Sequence, residues 1–151
     1  MARTVADVMH GDPRTVSRDS RVVEAARIMA EEDIGSVPVV DGETVVGMLT
    51  DRDIALRVVA AGLDPGLTTI GEVASSDVHC ATPDESLDDV FEQMSAWQIR
   101  RLPVVADQRL VGIVAQADLV HELKDKKAGQ LVDEISKPGE PLYRKQTVGI
   151  T

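Results

Sequence analysis

The chain contains two similar copies of one segment, and this internal repeat constrains its fold more than any other feature. When residues 4–59 are laid on residues 69–124 without a gap, twelve positions are identical. Average composition would give only about three or four identities. The most similar stretches are residues 34–40 with 99–105 and residues 46–53 with 111–118. Such a repeat predicts two copies of one supersecondary unit, each too small to be stable alone.

Each copy is predicted to begin with a short strand and a helix. In the first copy, residues 14–16 favour a strand, and Asp19 and Ser20 are helix-capping residues. Apolar residues then recur at helical spacing from Val22 to Met29. In the second copy the equivalent helix follows the caps at residues 84–86.

A hairpin and a second helix complete each copy. Residues 37–40 and 45–49 are β-branched or apolar runs on either side of the turn signal Asp41-Gly42, and Thr50 begins the next helix. Nearly continuous apolar strands are typical of a sheet covered on both faces. We therefore expect an α/β (α+β) fold of two β-α-β-β-α repeats, packed about a pseudo-twofold axis.

The repeat also predicts where the chain divides. We expect a first repeat at 4–60, a linker at 61–68, a second repeat at 69–124 and an extension at 125–151. Within the extension, residues 128–136 are expected to form a short helix, and the chain after residue 137 is expected to be flexible because Pro and Gly interrupt it.

Charge and composition exclude several classes of protein. The formal net charge of −10 argues against nucleic acid or an anionic membrane as the main partner. The one cysteine, Cys80, fits a reducing compartment. No apolar run approaches the ~18 residues that span a bilayer, and the first residues lack the apolar stretch of a signal peptide. A cytoplasmic protein is therefore expected.

One motif occurs in both copies. An apolar strand containing proline (Val37-Pro38-Val39-Val40, and Leu102-Pro103-Val104-Val105) is followed by a glycine and then by an aspartate (Gly47 and Asp53, Gly112 and Asp118). On these residues the chain resembles the paired CBS domains, named for cystathionine β-synthase, over residues 4–124. It is most similar to the stand-alone two-repeat members of the hypoxic response type.

The resemblance implies a regulatory module that performs no chemistry. Such modules bind adenosyl ligands (AMP, ATP or S-adenosylmethionine) in clefts between the two repeats and require no other cofactor. It also implies a homodimer and an unidentified protein partner, since this chain holds no effector domain. We expect the apolar face of the dimer to include Val23, Ile28, Val90 and Trp97.

The residues themselves suit an adenosyl ligand in the first repeat. Gly47 would let a ligand approach the backbone closely, and Thr50 lies at a helix N-terminus, where amide donors favour an oxygen-rich ligand. The two carboxylate oxygens of Asp53 could accept both hydroxyls of a ribose. Because the chain is poor in aromatics, aliphatic groups would have to enclose the purine; the candidates are Val16, Val37 and Pro38.

Phosphate recognition would need cations. Arg100 and Arg101 stand just before the proline of the second repeat, where nucleotide-binding members of the family often carry His or Arg. We expect them to reach across to the Asp53 site, and Arg52 to serve the Asp118 site in the same way. The second site is expected to be the weaker, because Ala115 replaces the hydroxyl residue there.

Each of these interpretations has a simpler alternative. Thr50 and Asp53 also match a helix capping box, and Arg100-Arg101 could be a solvated pair. His79 and Cys80 are neighbours on a predicted strand, so their side chains face opposite ways and no metal site is expected. Motifs of hydrolases, P-loops and metalloproteases do not occur, so an enzyme is not expected. The main alternative function is a ligand-free interaction or structural dimer with vestigial clefts.

Overall fold

The computed structural model describes residues 3–127, with side chains to residue 124. In chain order the elements are α1 (Val5–Val8), β1 (Val16–Ser17), α2 (Val22–Glu32), β2 (Ser36–Asp41), β3 (Thr44–Thr50), α3 (Asp51–Ile54), α4 (Ile70–Val73), α5 (Leu87–Trp97), β4 (Arg101–Ala106), β5 (Arg109–Ala115) and α6 (Gln116–Lys127). A π-helical turn, Ala55–Val59, continues α3. The helix expected at 128–136 and the flexible end after 137 lie outside the described residues.

The two repeats form equivalent elements. Helices α2 and α5, strands β2 and β4, and strands β3 and β5 have bounds related by the same shift that lays residue 4 on residue 69. In each repeat the two long strands pair antiparallel, with Val37 opposite Leu49 and Leu102 opposite Val114. Strand β1 adds in parallel to β2, whereas the second repeat has at this place only a single bridge from Ala81.

Two local predictions at the start of the first repeat were wrong. Strand β1 begins at Val16, not at residue 14. Helix α2 begins after Arg21, and neither Asp19 nor Ser20 caps it. The linker caps the helix instead, because the amides of Val22 and Val23 donate to the carbonyls of Thr68 (2.9 Å) and Pro65 (3.0 Å).

The short helices α1 and α4 are exchanged between the two halves of the molecule. Val5 of α1 is fully buried in a cluster with the apolar residues of α5, β4 and β5. Ile70 and Val73 of α4 are buried with those of α2, β2 and β3. We therefore define lobe 1 as β1, α2, β2, β3, α3 and α4, and lobe 2 as α1, α5, β4, β5 and α6. Each lobe completes its core with a helix that belongs, by sequence, to the other repeat.

Backbone hydrogen bonds hold each exchanged segment against a strand of its lobe. His10 exchanges two hydrogen bonds with Ile113 of β5 (2.8 and 2.9 Å), and Ser75 exchanges two with Met48 of β3 (3.0 and 2.9 Å). The shift that relates the two repeats lays His10 on Ser75 and Met48 on Ile113, as the pseudo-twofold relation requires. The two exchanged segments therefore pair with their lobes in the same way.

The lobes meet at the hairpin turn of lobe 1. The amide of Leu110 donates to the carbonyl of Glu43 (2.9 Å), and the Glu43 carboxylate lies 3.1 Å from Arg109 Nε. Strands β3 and β5 also contact each other. The two repeats thus pack together as one α+β body.

The apolar surface differs from the expected dimer face. Val90 is fully buried in lobe 2, so its assignment to that face was wrong. Ile28 packs against the lobe 1 core, and Trp97 is partly exposed. The most exposed large apolar side chains form a different set, within residues 56–67: Leu56, Val59, Leu63 and Leu67. None of the helices within residues 3–127 has the length and apolar character needed to cross a membrane.

Candidate functional site

Thr50 and Asp53 meet at the start of α3. The amide of Thr50 donates to Asp53 Oδ2 (3.0 Å), and the amide of Asp53 donates to Thr50 Oγ1 (3.0 Å). The capping box, the simpler of the two interpretations, is therefore present. It leaves Asp53 Oδ1 as the carboxylate oxygen without a backbone donor, so the two oxygens are not equivalent acceptors.

A cation lies beside that free oxygen, but it is not one that the sequence motif predicted. Arg57 Nη1 is 4.0 Å from Asp53 Oδ1, and the Asp53 side chain is only 17 % exposed. The same Nη1 donates to the carbonyl of Val73 (2.8 Å), which ties α3 to the end of α4. The i,i+4 spacing of an acid and an arginine on a helix was the available signal.

The equivalent carboxylate in lobe 2, Asp118, has different surroundings. Ala115 offers no hydroxyl to the first turn of α6. His10 Nε2, from the exchanged N-terminal segment, lies 2.8 Å from Asp118 Oδ2. One turn further along α6, Glu122 pairs with Arg3. No sequence pattern pointed to His10 or Arg3, because their approach to α6 depends on the exchange of α1.

Arg100 and Arg101 lie beside the start of α6. The carbonyl of Arg100 accepts a hydrogen bond from the amide of Gln116 (2.8 Å), and Arg101 is opposite Ala115 in the sheet. Within residues 3–127, neither arginine forms an ion pair with Asp53. Their reach across to the Asp53 site stays a prediction.

The remaining cation of the motif, Arg52, is exposed on the first turn of α3. Its amide donates to the neighbouring Asp51 carboxylate (2.8 Å). Within residues 3–127 its side chain forms no ion pair with Asp118. A role toward that site also stays a prediction.

The predicted purine-enclosing residues are mostly core residues. Val37 is fully buried and Val16 nearly so, both in the lobe 1 cluster, and Pro38 is buried opposite Met48. Val37 therefore presents no surface to a ligand in this conformation.

At Gly47 the close neighbour is the protein's own backbone. A Cβ at this position would lie 2.8 Å from the carbonyl oxygen of Ser75. The missing side chain thus allows the exchanged segment of lobe 1 to pair with β3. At Gly112 the same role is repeated, with His10 O at 3.0 Å.

Two cavities lie near these elements. The larger, about 300 Å³, is between the lobes and is lined by Asp12, Pro13, Thr15, Val40, Gly42, Glu43 and Leu110. The smaller, about 110 Å³, is lined by residues that include Arg18, Gly47, Gly71 and Ser75. Neither cavity has Thr50, Asp53, Arg100 or Arg101 in its lining. Of the predicted site residues, only Gly47 lines one of them.

Cys80 and the histidines belong to no group of three metal-ligating side chains in the described part. Within it, no three His, Cys, Asp or Glu side chains are grouped so that they could hold an ion. The His79 ring stacks on Trp97, with ring centroids 3.8 Å apart. Partial burial raises the pKa of the Cys80 thiol above its ordinary value, because desolvation disfavours the thiolate.

Comparison with known proteins adds the family. The CBS domain model matches residues 5–60 and 70–125. The chain is 43 % identical to the CBS domain-containing protein YhcV of Bacillus subtilis over 134 residues, covering 88 % of this chain and 95 % of YhcV. It is 38 % identical to hypoxic response protein 1 of Mycobacterium tuberculosis over 136 residues, covering 89 % and 95 %.

Two crystal structures are similar over most of the chain. One is hypoxic response protein I with two coordinated zinc ions (39 % identity, TM-score 0.72, covering 78 % of this chain and 97 % of that one). The other is the CBS domain pair of protein MJ0100 in complex with 5′-methylthioadenosine and S-adenosyl-L-methionine (33 % identity, TM-score 0.74, covering 84 % and 100 %).

Proposed function

Because the chain belongs to the CBS domain family and consists largely of two such domains, we propose that it is a non-enzymatic regulatory module that binds an adenosyl ligand at Asp53. The ligand would change the closure of the two lobes or their association with another protein. We place it in the cytoplasm, on the expectation drawn from its single cysteine.

The observation that carries the proposal is the free oxygen of Asp53. Oδ2 is held by the Thr50 amide, so the carboxylate has a fixed orientation, and Oδ1 is left to accept a hydroxyl hydrogen bond. A positioned carboxylate is a strong acceptor for a sugar hydroxyl. The related MJ0100 pair, which holds two adenosyl compounds, supports this class of ligand.

The test is a thermal-shift and calorimetric panel of AMP, ATP, S-adenosylmethionine and 5′-methylthioadenosine. A ligand at one hundred times its Kd should add about 2.7 kcal/mol to the free energy of unfolding. Because one related structure holds zinc, each measurement is run with and without a chelator. A panel in which no adenosyl compound binds at millimolar concentration would overturn the proposal.

The informative variant is Asp53→Asn, with Asp118→Asn as its matched control. The asparagine oxygen can still accept the Thr50 amide, so the helix cap is kept while the charge is lost. We expect the ligand-induced stabilisation to disappear in Asp53→Asn and to persist in Asp118→Asn. Equal loss in both variants would contradict the preference for the first site.

We also propose that the protein is a homodimer. Most of the large apolar side chains exposed on the described surface lie between Leu56 and Leu67, and where such side chains adjoin they mark an interaction surface. Light scattering should give twice the chain mass, and Val59→Glu should give a monomer. A monomeric wild-type chain at micromolar concentration would refute the dimer.

A ligand-free interaction module is the second candidate. It is favoured by the engagement of Asp53 in the capping box and by the absence of Asp53 from the lining of both cavities. It predicts that Asp53→Asn changes neither dimerisation nor partner capture. The two candidates therefore differ in the effect of one substitution.

A further inference from the structure

Helix α6 and the π-helical turn that continues α3 carry opposite charges at equivalent positions. Arg57 and Glu122 are laid on each other by the shift that relates the two repeats, and each lies one turn after the motif aspartate of its repeat, Asp53 or Asp118. Arg57 neutralises its aspartate from the same helix. Glu122 adds a second carboxylate, and the side chains that contact this pair, His10 and Arg3, come from outside the second repeat.

Arg57 has unused N–H donors beside Asp53 Oδ1, where a ligand would lie. Its guanidinium carries five N–H groups, and within residues 3–127 its hydrogen bond is the one to the Val73 carbonyl. The side chain is about half exposed, with Nη1 4.0 Å from Asp53 Oδ1. A hydroxyl accepted by Oδ1 would lie about 2.7 Å from that oxygen, so a ligand bound there would come within reach of the guanidinium.

We propose that Arg57 is a specificity-determining residue that selects adenosyl ligands carrying an anionic group, a phosphate or a carboxylate, at the Asp53 site. This assignment rests on the function proposed above. Arginine recognises such oxyanions through paired N–H donors. At the Asp118 site the equivalent position is Glu122, which is paired with Arg3 and has no N–H donor for an oxyanion, so the two sites differ in the group that they present there.

The test compares AMP with adenosine, which share the base and the ribose but differ in the phosphate. Binding of both is measured by calorimetry to the wild-type chain, Arg57→Gln and Arg57→Lys, with Arg27→Gln as a control on the exposed face of α2. Loss of a charge-assisted hydrogen bond corresponds to about tenfold or more in Kd. We expect Arg57→Gln to weaken AMP by that factor and adenosine by less than about twofold.

The remaining variants separate recognition from structure. Arg57→Lys keeps the charge and should retain most of the preference for AMP, and Arg27→Gln should match the wild type. An equal loss for AMP and adenosine would assign Arg57 a structural role and overturn the inference, as would no change in either. Wild-type protein that binds adenosine and AMP equally overturns the inference alone; wild-type protein that binds neither overturns the proposed function with it.

Discussion

The exchange of α1 and α4 makes a prediction that separates spatial lobes from sequence repeats. Val5 belongs to the first repeat by sequence, yet its side chain is fully buried in lobe 2. In Val5→Ala two methyl groups leave that core. At about 0.8 kcal/mol for each, the transfer term is about 1.6 kcal/mol, and the cavity left behind raises the loss to about 2–3 kcal/mol.

The location of the loss is as informative as its size. Hydrogen exchange followed by mass spectrometry, at low denaturant, reports the stability of each lobe separately. We expect Val5→Ala to reduce protection in β4 and β5 before it does so in β2 and β3. Val73→Ala is the matched control, since the same methyls are removed from α4, and it should weaken β2 and β3 first.

Two results would refute this reasoning. One is a loss of protection in β2 and β3 that equals or exceeds that in β4 and β5 when Val5 is truncated. The other is a change in the free energy of unfolding below about 0.5 kcal/mol, the range of surface substitutions. Chemical denaturation of the same two variants supplies that second measurement.

Four further predictions each concern one position. Thr50→Ala should cost about 1 kcal/mol in denaturant unfolding, because it removes the cap of α3, and Ala115→Thr should gain up to about 1 kcal/mol by supplying one to α6. Gly47→Ala should cost about 1–3 kcal/mol, since its Cβ would meet the Ser75 carbonyl; an unchanged melting temperature would contradict this. The raised pKa of Cys80 means that the folded thiol ionises later than the unfolded one, so its contribution to stability is present at neutral pH and lost as the pH rises through the folded pKa. Alkylation of the native thiol should accordingly reach half its limiting rate at a higher pH than alkylation of the unfolded chain.

The secondary structure of the repeats was predictable because the same succession of apolar and polar residues occurs in both copies. Strands β2 to β5 and helices α2 and α5 follow from the alignment of one copy on the other. The cap of α2 could not be predicted, since its partners, Thr68 and Pro65, lie in the linker at the far end of the repeat. Val90 was misplaced because helical periodicity gives an apolar stripe without saying which part of it another element covers.

The contacts of the candidate site were likewise predictable only where the partners are close in the chain. Thr50 and Asp53 are close neighbours in the chain, and their contact was predictable as a capping box. Arg57 lies four residues after Asp53, a spacing at which side chains on a helix meet. The Arg100-Arg101 pair drew the prediction instead, because two adjacent arginines precede the proline of the motif. The contact of His10 with Asp118 joins the two ends of the described chain, and no local pattern encodes a contact between such distant segments.

The exchange of α1 and α4 also sets the order in which the protein can assemble during synthesis. Val5 is synthesised before its neighbours on α5, which begin only at Leu87, so α1 lacks its packing partners while lobe 1 is made. Lobe 1 can fold once α4 has emerged, and lobe 2 then packs around α1, which was synthesised before it. A change that holds Val5 away from α5 should consequently slow the folding of lobe 2 more than that of lobe 1.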